Sequence, residues 1–117
     1  MTKSYLLGID IGTSACKVAL FNKEGQVKAA ANGDYPVYYP HEGWAEQNPE
    51  EWWSAVCGAI RECLKMGNIF GEQIAGIGID GQSWSAIAID REGNVLTDTP
   101  IWMDTRAQEI CDRLNNE

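Results

Sequence analysis

The stretch YLLGIDIGTSACKVALFN, residues 5–22, sets the tightest limits on what this chain can become. An apolar run meets an aspartate, turns on Gly12-Thr13-Ser14 and returns as a second apolar run. Residues 5–10 are apolar enough for a strand buried on both faces, and residues 16–22 (CKVALFN) form another. Asn22-Lys23-Glu24-Gly25 then reads as a turn in which Gly25 takes positive φ. A third strand follows over roughly 26–38. Three consecutive strands with short turns predict an antiparallel meander.

The period changes in HEGWAEQNPEEWWSAVCGAIRECLKMGN. Asn48 is a cap candidate, Pro49 suits the first helical position, and Glu51 lies three residues past the cap. Trp52, Val56, Ile60, Cys63 and Leu64 recur on one helical face, and Gly67-Asn68 ends the helix. IAGIGID, residues 74–80, is a strand after a helix, placed to pair parallel with the first by a right-handed crossover. SAIAID, residues 85–90, alternates like a strand, and Asp90-Arg91-Glu92-Gly93-Asn94 turns it back toward Val95-Leu96. Pro100-Ile101-Trp102 predicts a short strand, and a last helix begins at Asp104 or Thr105. The expected order is β-β-β-α-β-β-(β)-β-α, an α/β mixed sheet with flanking helices. The plan reads as incomplete, a fragment of something longer, because the final helix has little to pack on and the open sheet lacks a strand.

Composition narrows the partners. With 17 acidic and 9 basic residues among 117, the net charge is −8. Nonspecific nucleic-acid or anionic-membrane binding requires clustered Lys and Arg and is excluded on this ground; a small phosphorylated ligand, which a few backbone amides can hold, is not. Cys16, Cys57, Cys63 and Cys111 lack C-x-x-C spacing and have only His41 beside them, so a zinc site is not expected. They read as reduced, mostly buried thiols of a cytoplasmic protein. No signal peptide or bilayer-spanning run is evident.

The chemistry concentrates at Asp10-Ile11-Gly12-Thr13-Ser14. Successive amides in such a turn form an anion-binding concavity, and glycine admits a close ligand. A carboxylate beside bound phosphate calls for an intervening cation, usually Mg²⁺, and Lys17 adds a point charge. The stretch therefore suggests a Mg²⁺-polyphosphate held on a hairpin. It is not a P-loop, since no Gly-Lys-Ser/Thr opens a helix. The plain alternative is a solvated hairpin whose Asp and Ser make only turn hydrogen bonds.

GIDIGTSACKVALFNKEGQV, GWAEQNPEEWW, IAGIGIDGQ and PIWMDTRAQEI, in that order and across nearly the whole chain, resemble the N-terminal part of the FGGY carbohydrate kinases, with xylulokinases the nearest branch. The resemblance implies a ribonuclease-H-like fold of the actin and hexokinase type, ATP and Mg²⁺ as cofactors, and phosphorylation of a ketopentose such as D-xylulose or a related ketose or polyol. By the same resemblance, Asp10 matches a Mg²⁺-associated aspartate, and Gly12, Thr13 and Ser14 match a phosphate-facing turn. Gln82, Ser83 and Trp84 stand where xylulokinases carry Gln-Met-His facing the sugar, so the hydroxyl readout differs here. Trp102 and Asp104 match a pocket-lining stretch, with Arg106 nearby. The family's catalytic base and adenosine-binding domain lie beyond Glu117. The resemblance thus implies an inactive fragment, a small-molecule sugar as partner, and admits a homodimer of the full-length protein.

The remaining prominent residues have structural readings. Trp52 belongs to the core, Trp44 anchors its loop, His41 faces solvent, and Glu50-Glu51 suit a helix N-terminus electrostatically. Two rival functions remain. Asp10, Asp80 and Glu50 or Glu51 echo the metal-binding acids of ribonuclease-H-type nucleases, although the charge suits no duplex. The other rival is a non-catalytic sugar- or nucleotide-binding module. In an isolated chain the open sheet edge predicts association or partial disorder.

Overall fold

The computed structural model describes residues 1–117, which divide into two compact units, one of residues 1–35 and 50–82, the other of residues 36–49 and 83–117. The first unit holds β1 (Tyr5–Ile11), β2 (Ala15–Phe21), β3 (Val27–Asp34), nearly all of α1 (Pro49–Gly67), a 3₁₀ turn (Gly71–Gln73) and β5 (Ile74–Gly81). Its sheet has the order β3-β2-β1-β5. The meander β1-β2-β3 is antiparallel and β5 joins β1 in parallel, as the sequence predicts. A ribonuclease-H-like sheet requires this mixed arrangement.

Pleat alternation divides the strands. Leu7, Ile9, Cys16, Val18, Leu20, Ala29 and Ala31 are buried together with Val56, Ala59 and Cys63 of α1. Each fully buried aliphatic side chain contributes ~1.5–3 kcal/mol, so this layer dominates the unit's stability. Trp52 and Ile60 pack against it and Trp53 is exposed, consistent with a single apolar helical face. The helix approaches β3 closely: a Cβ on Gly33 would lie 2.7 Å from the Ala55 carbonyl oxygen.

The end of α1 is a Schellman motif. Asn68 takes φ 53°, its N–H donates to the Lys65 carbonyl at 3.1 Å, and the Ile69 N–H donates to the Leu64 carbonyl at 2.9 Å. A Cβ on Gly67 would meet the tip of the Leu20 side chain at 2.7 Å, so any larger residue there requires Leu20 to shift. Cys16 and Cys63 are buried, Cys57 is half-buried and Cys111 exposed, so only two of the four thiols are as sheltered as expected. Burial pushes the Cys63 thiol up, away from thiolate chemistry.

Four expectations need correction. The third strand ends at Asp34 rather than 38; Pro36 has no N–H to offer a ladder. Residues 85–90 form no strand, only an isolated Ile89–Val95 bridge and a Leu96 N–H to Ala88 carbonyl bond of 3.0 Å around the Asp90–Asn94 turn. The returning segment is too short to extend a ladder. The last helix, α2 (Gln108–Asn115), starts later than Asp104 or Thr105, because the Asp104 carboxylate is engaged elsewhere in its unit. In that unit β4 (Glu46–Gln47) pairs antiparallel with β6 (Thr99–Pro100), so the strand expected at 100–102 begins and ends earlier. Ile101 is buried after it, and Trp102 sits in the turn closed by Asp104 N–H on the Ile101 carbonyl at 2.9 Å. No helix is long and apolar enough to cross a membrane.

Candidate active site

In the first unit, β1 delivers Asp10 to the end of the sheet on the face opposite α1. Register places Lys17 of β2 on one side of it and Asp80 of β5 on the other. All three side chains are exposed. They line one end of an open trough of about 430 Å³ whose floor is lowered by Gly8, Gly78 and Ala19.

The turn after β1 is closed by the Gly12 N–H on the Ala15 carbonyl at 3.0 Å. The Gly12 amide expected to face phosphate is thus committed to the hairpin. The turn itself favours glycine at this point, since a Cβ would lie a tight 3.0 Å from the Ala15 oxygen. The Gly12 carbonyl points to two donors, the Tyr35 hydroxyl and the Gln82 side-chain amide, the latter at 3.4 Å. The Tyr35 backbone N–H reaches the Ser14 carbonyl at 3.3 Å, and the Gln82 N–H the Ile11 carbonyl at 2.8 Å. Gln82, expected to face a sugar, therefore also braces the turn. Tyr35 is buried, and desolvation, then the charges of Cys16 and Asp10, push its hydroxyl up to about 12, so it stays a donor at any physiological pH. Tyr35 was not legible as a site residue: it lies 23 positions from Gly12 and carries no motif.

A hard cation such as Mg²⁺ retains several waters and takes one or two carboxylates beside phosphate oxygens. Asp10 and Asp80, adjacent exposed carboxylates across β1 and β5, offer oxygen donors of the kind such a cation takes. The nuclease constellation is not assembled, because Glu50 and Glu51 do not join Asp10 and Asp80 in any group of three acids able to hold a metal.

In the second unit, Trp84 is 95% exposed and takes φ 70°, a strained conformation for a bulky side chain. It is not a core residue of this unit. Ser83 is also exposed, and Trp102 is 56% exposed. Asp104 has a different environment. Its carboxylate accepts the Ala45 N–H at 2.8 Å, the Arg106 N–H at 3.0 Å, and the Arg106 guanidinium at 2.7–2.9 Å. These bonds, the guanidinium first, hold its carboxyl down at about 2. Arg106 also bonds Glu46 at 2.8 Å and stacks 3.8 Å over the Trp44 ring, whose edge meets His41 at 4.4 Å between centroids. Trp44 is thus the loop anchor expected. Asp104 and Arg106 form the staple that holds the loop rather than an open ligand-binding pair.

Residues 5–117 match the model of the FGGY family of carbohydrate kinases, N-terminal domain. The chain belongs to this family. It is 35% identical over 116 residues to a glycerol kinase of Bacillus mycoides and 37% identical over 113 residues to one of Desulfitobacterium hafniense, covering 98% and 96% of this chain. In both cases it spans 23% of the relative's length. Among solved structures, a xyloylose kinase from Brucella ovis superposes with a TM-score of 0.90 at 35% identity, over 96% of this chain and 24% of that one. A ligand-bound xylulose kinase from Lactobacillus acidophilus gives 0.88 at 30% identity, over 96% and 22%. The FGGY chain therefore carries the mixed sheet of the actin- and hexokinase-like ATPases, with Asp10 and the Gly12-Thr13-Ser14 turn at the end of its first strand.

Proposed function

We propose that this chain is the N-terminal portion of an ATP-dependent kinase that phosphorylates a hydroxyl group of a small sugar or polyol. The observation that supports this reading is the family match over residues 5–117, in a chain that carries Asp10 one residue before the end of β1 and a hydroxyl-bearing turn after it. Bound Mg²⁺-ATP would supply the phosphoryl group and offset its charge. Asp10 would hold the cation, Thr13 and Ser14 would meet phosphate oxygens, and Lys17 would add positive charge on the adjoining strand. The acceptor oxygen bonds to the γ-phosphorus as the bond to ADP breaks, and its proton passes to a carboxylate base outside residues 1–117.

In the second unit the acceptor is read by Ser83, Trp84 and Trp102, with Asp104 acting through the loop it staples. An indole donates one hydrogen bond and offers an apolar face, which favours a ketose such as D-xylulose or a related polyol with a C–H face to cover. Two relatives bear the name glycerol kinase and two structural neighbours are named for xylulose or its variant spelling, so both acceptor classes belong in the test. ADP release by the complete protein with Mg²⁺-ATP is measured across ketopentoses, ketohexoses, glycerol and other polyols. Release with one acceptor, and none from residues 1–117 alone, is expected. Silence across the panel overturns the kinase reading and leaves a non-catalytic binding module.

A further inference from the structure

We infer that Tyr35 is a positioning residue for the phosphate turn, setting nucleotide affinity through the Gly12 and Ser14 carbonyls without touching the ligand; the inference rests on the kinase reading above. Tyr35 follows β3 and reaches the turn twice. Its hydroxyl donates to the Gly12 carbonyl and its backbone N–H to the Ser14 carbonyl at 3.3 Å. In a planar trans peptide, a carbonyl and the N–H that follows it point in opposite directions. Fixing the Gly12 carbonyl toward Tyr35 therefore fixes the Thr13 N–H away from it, and fixing the Ser14 carbonyl does the same for the Ala15 N–H. Two of the turn's peptide planes are thus set by one residue.

The Tyr35 ring is 6% exposed and belongs to the sheet–helix core, so its hydroxyl is carried on a rigid support. Gln82 adds a longer, 3.4 Å bond to the same Gly12 carbonyl from the end of β5. The turn is thereby braced from β3 and from β5. Preorganised donors are worth more than donors that must reorient when the charge arrives, and this pair of braces removes that reorientation.

The test uses the complete protein and two equilibrium titrations, Mg²⁺-ADP and the acceptor sugar identified by the panel, on the parent and on Tyr35→Phe. The substitution keeps the ring and removes only the oxygen. Mg²⁺-ADP affinity is expected to fall about five- to tenfold, the worth of one lost hydrogen bond, and KM for ATP to rise in step. Sugar affinity should stay within about twofold. Para-aminophenylalanine at position 35, which returns a donor to the same place, should restore nucleotide affinity. Equal loss of both affinities, unchanged nucleotide affinity, or failure of Tyr35→Phe to fold overturns the inference. A parent protein that binds no Mg²⁺-ADP instead removes the kinase reading itself, and the inference with it.

Discussion

Asp10 and Asp80 are register partners across the parallel β1–β5 pair, two exposed carboxylates side by side on the same face of the sheet. Lys17, opposite Asp10 on β2, sits on the far side of that row. Like charges on adjoining strands oppose one another by ~0.2–1 kcal/mol, and a bound cation reverses the sign. Without Mg²⁺, Asp80→Asn is therefore expected to raise thermal stability at low salt, an effect that fades as ionic strength screens the pair. Asp10→Ala in the complete protein should lower turnover by about 10²–10³-fold, the scale of losing one charge-stabilising group, with little change in sugar binding. Steady-state kinetics with a parallel sugar titration checks this, and equal turnover with and without Asp10 removes it from the mechanism.

Trp84 makes a separable prediction because its exposure and backbone point the same way. A 95% exposed indole at φ 70° contributes little to packing, and the left-handed backbone costs ~1–3 kcal/mol. Trp84→Gly should consequently stabilise the protein in a denaturant titration by up to ~1 kcal/mol. Trp84→His should move the acceptor ranking toward D-xylulose. A ranking unchanged by either substitution removes residue 84 from acceptor selection.

The parts of this molecule that were legible are those governed by local periodicity. Alternation in residues 5–21 and the apolar face running from Trp52 to Leu64 place β1, β2 and α1 within a residue or so. The parallel docking of β5 follows from handedness. Alternation failed at residues 85–90 because a strand also needs a partner, and Ile89 has one only at Val95. Asp104 or Thr105 reads as the start of the last helix, yet the Asp104 carboxylate serves Ala45, 59 residues away. Asp10 and Ser14 stand out in the turn by residue type, whereas the Tyr35 brace and the Arg106–Glu46 pair depend on long-range geometry that leaves no spacing signal.

The Asp104–Arg106 staple is pH-sensitive in a defined direction. The Asp104 carboxyl is held at about 2, below its ordinary 3.8, so its stabilising effect is complete above the ordinary value and disappears as pH falls toward 2. At neutral pH, Asp104→Asn is expected to cost ~1.5–3 kcal/mol, the range for hydrogen bonds to a charged group. The gap between parent and variant in urea unfolding should narrow progressively from about pH 4 to pH 2. Arg106→Lys should lose most of the same energy, because an ammonium cannot form the fork and stack on Trp44 together. A parent–variant gap that does not change with pH would show that Asp104 acts through shape alone.

Glycines on the two sides of the α1–β3 contact give opposite expectations. A methyl at Gly33 meets the Ala55 carbonyl oxygen at 2.7 Å and the Ala55 Cβ at 2.9 Å. Both neighbours belong to the helix itself, so relief requires moving α1 off the sheet. Gly33→Ala should cost ~1–3 kcal/mol, the usual penalty of overpacking. Gly58 lies within α1, is exposed, and has nothing within 4 Å of its would-be Cβ. Gly58→Ala should add ~0.5–1 kcal/mol by removing helix-interior glycine. Thermal melts of both variants decide the matter: a neutral Gly33→Ala would mean that α1 is free to slide on β3, and the layer of Leu20, Val56 and Cys63 beneath it would not be a rigid support for Tyr35 and the turn it braces.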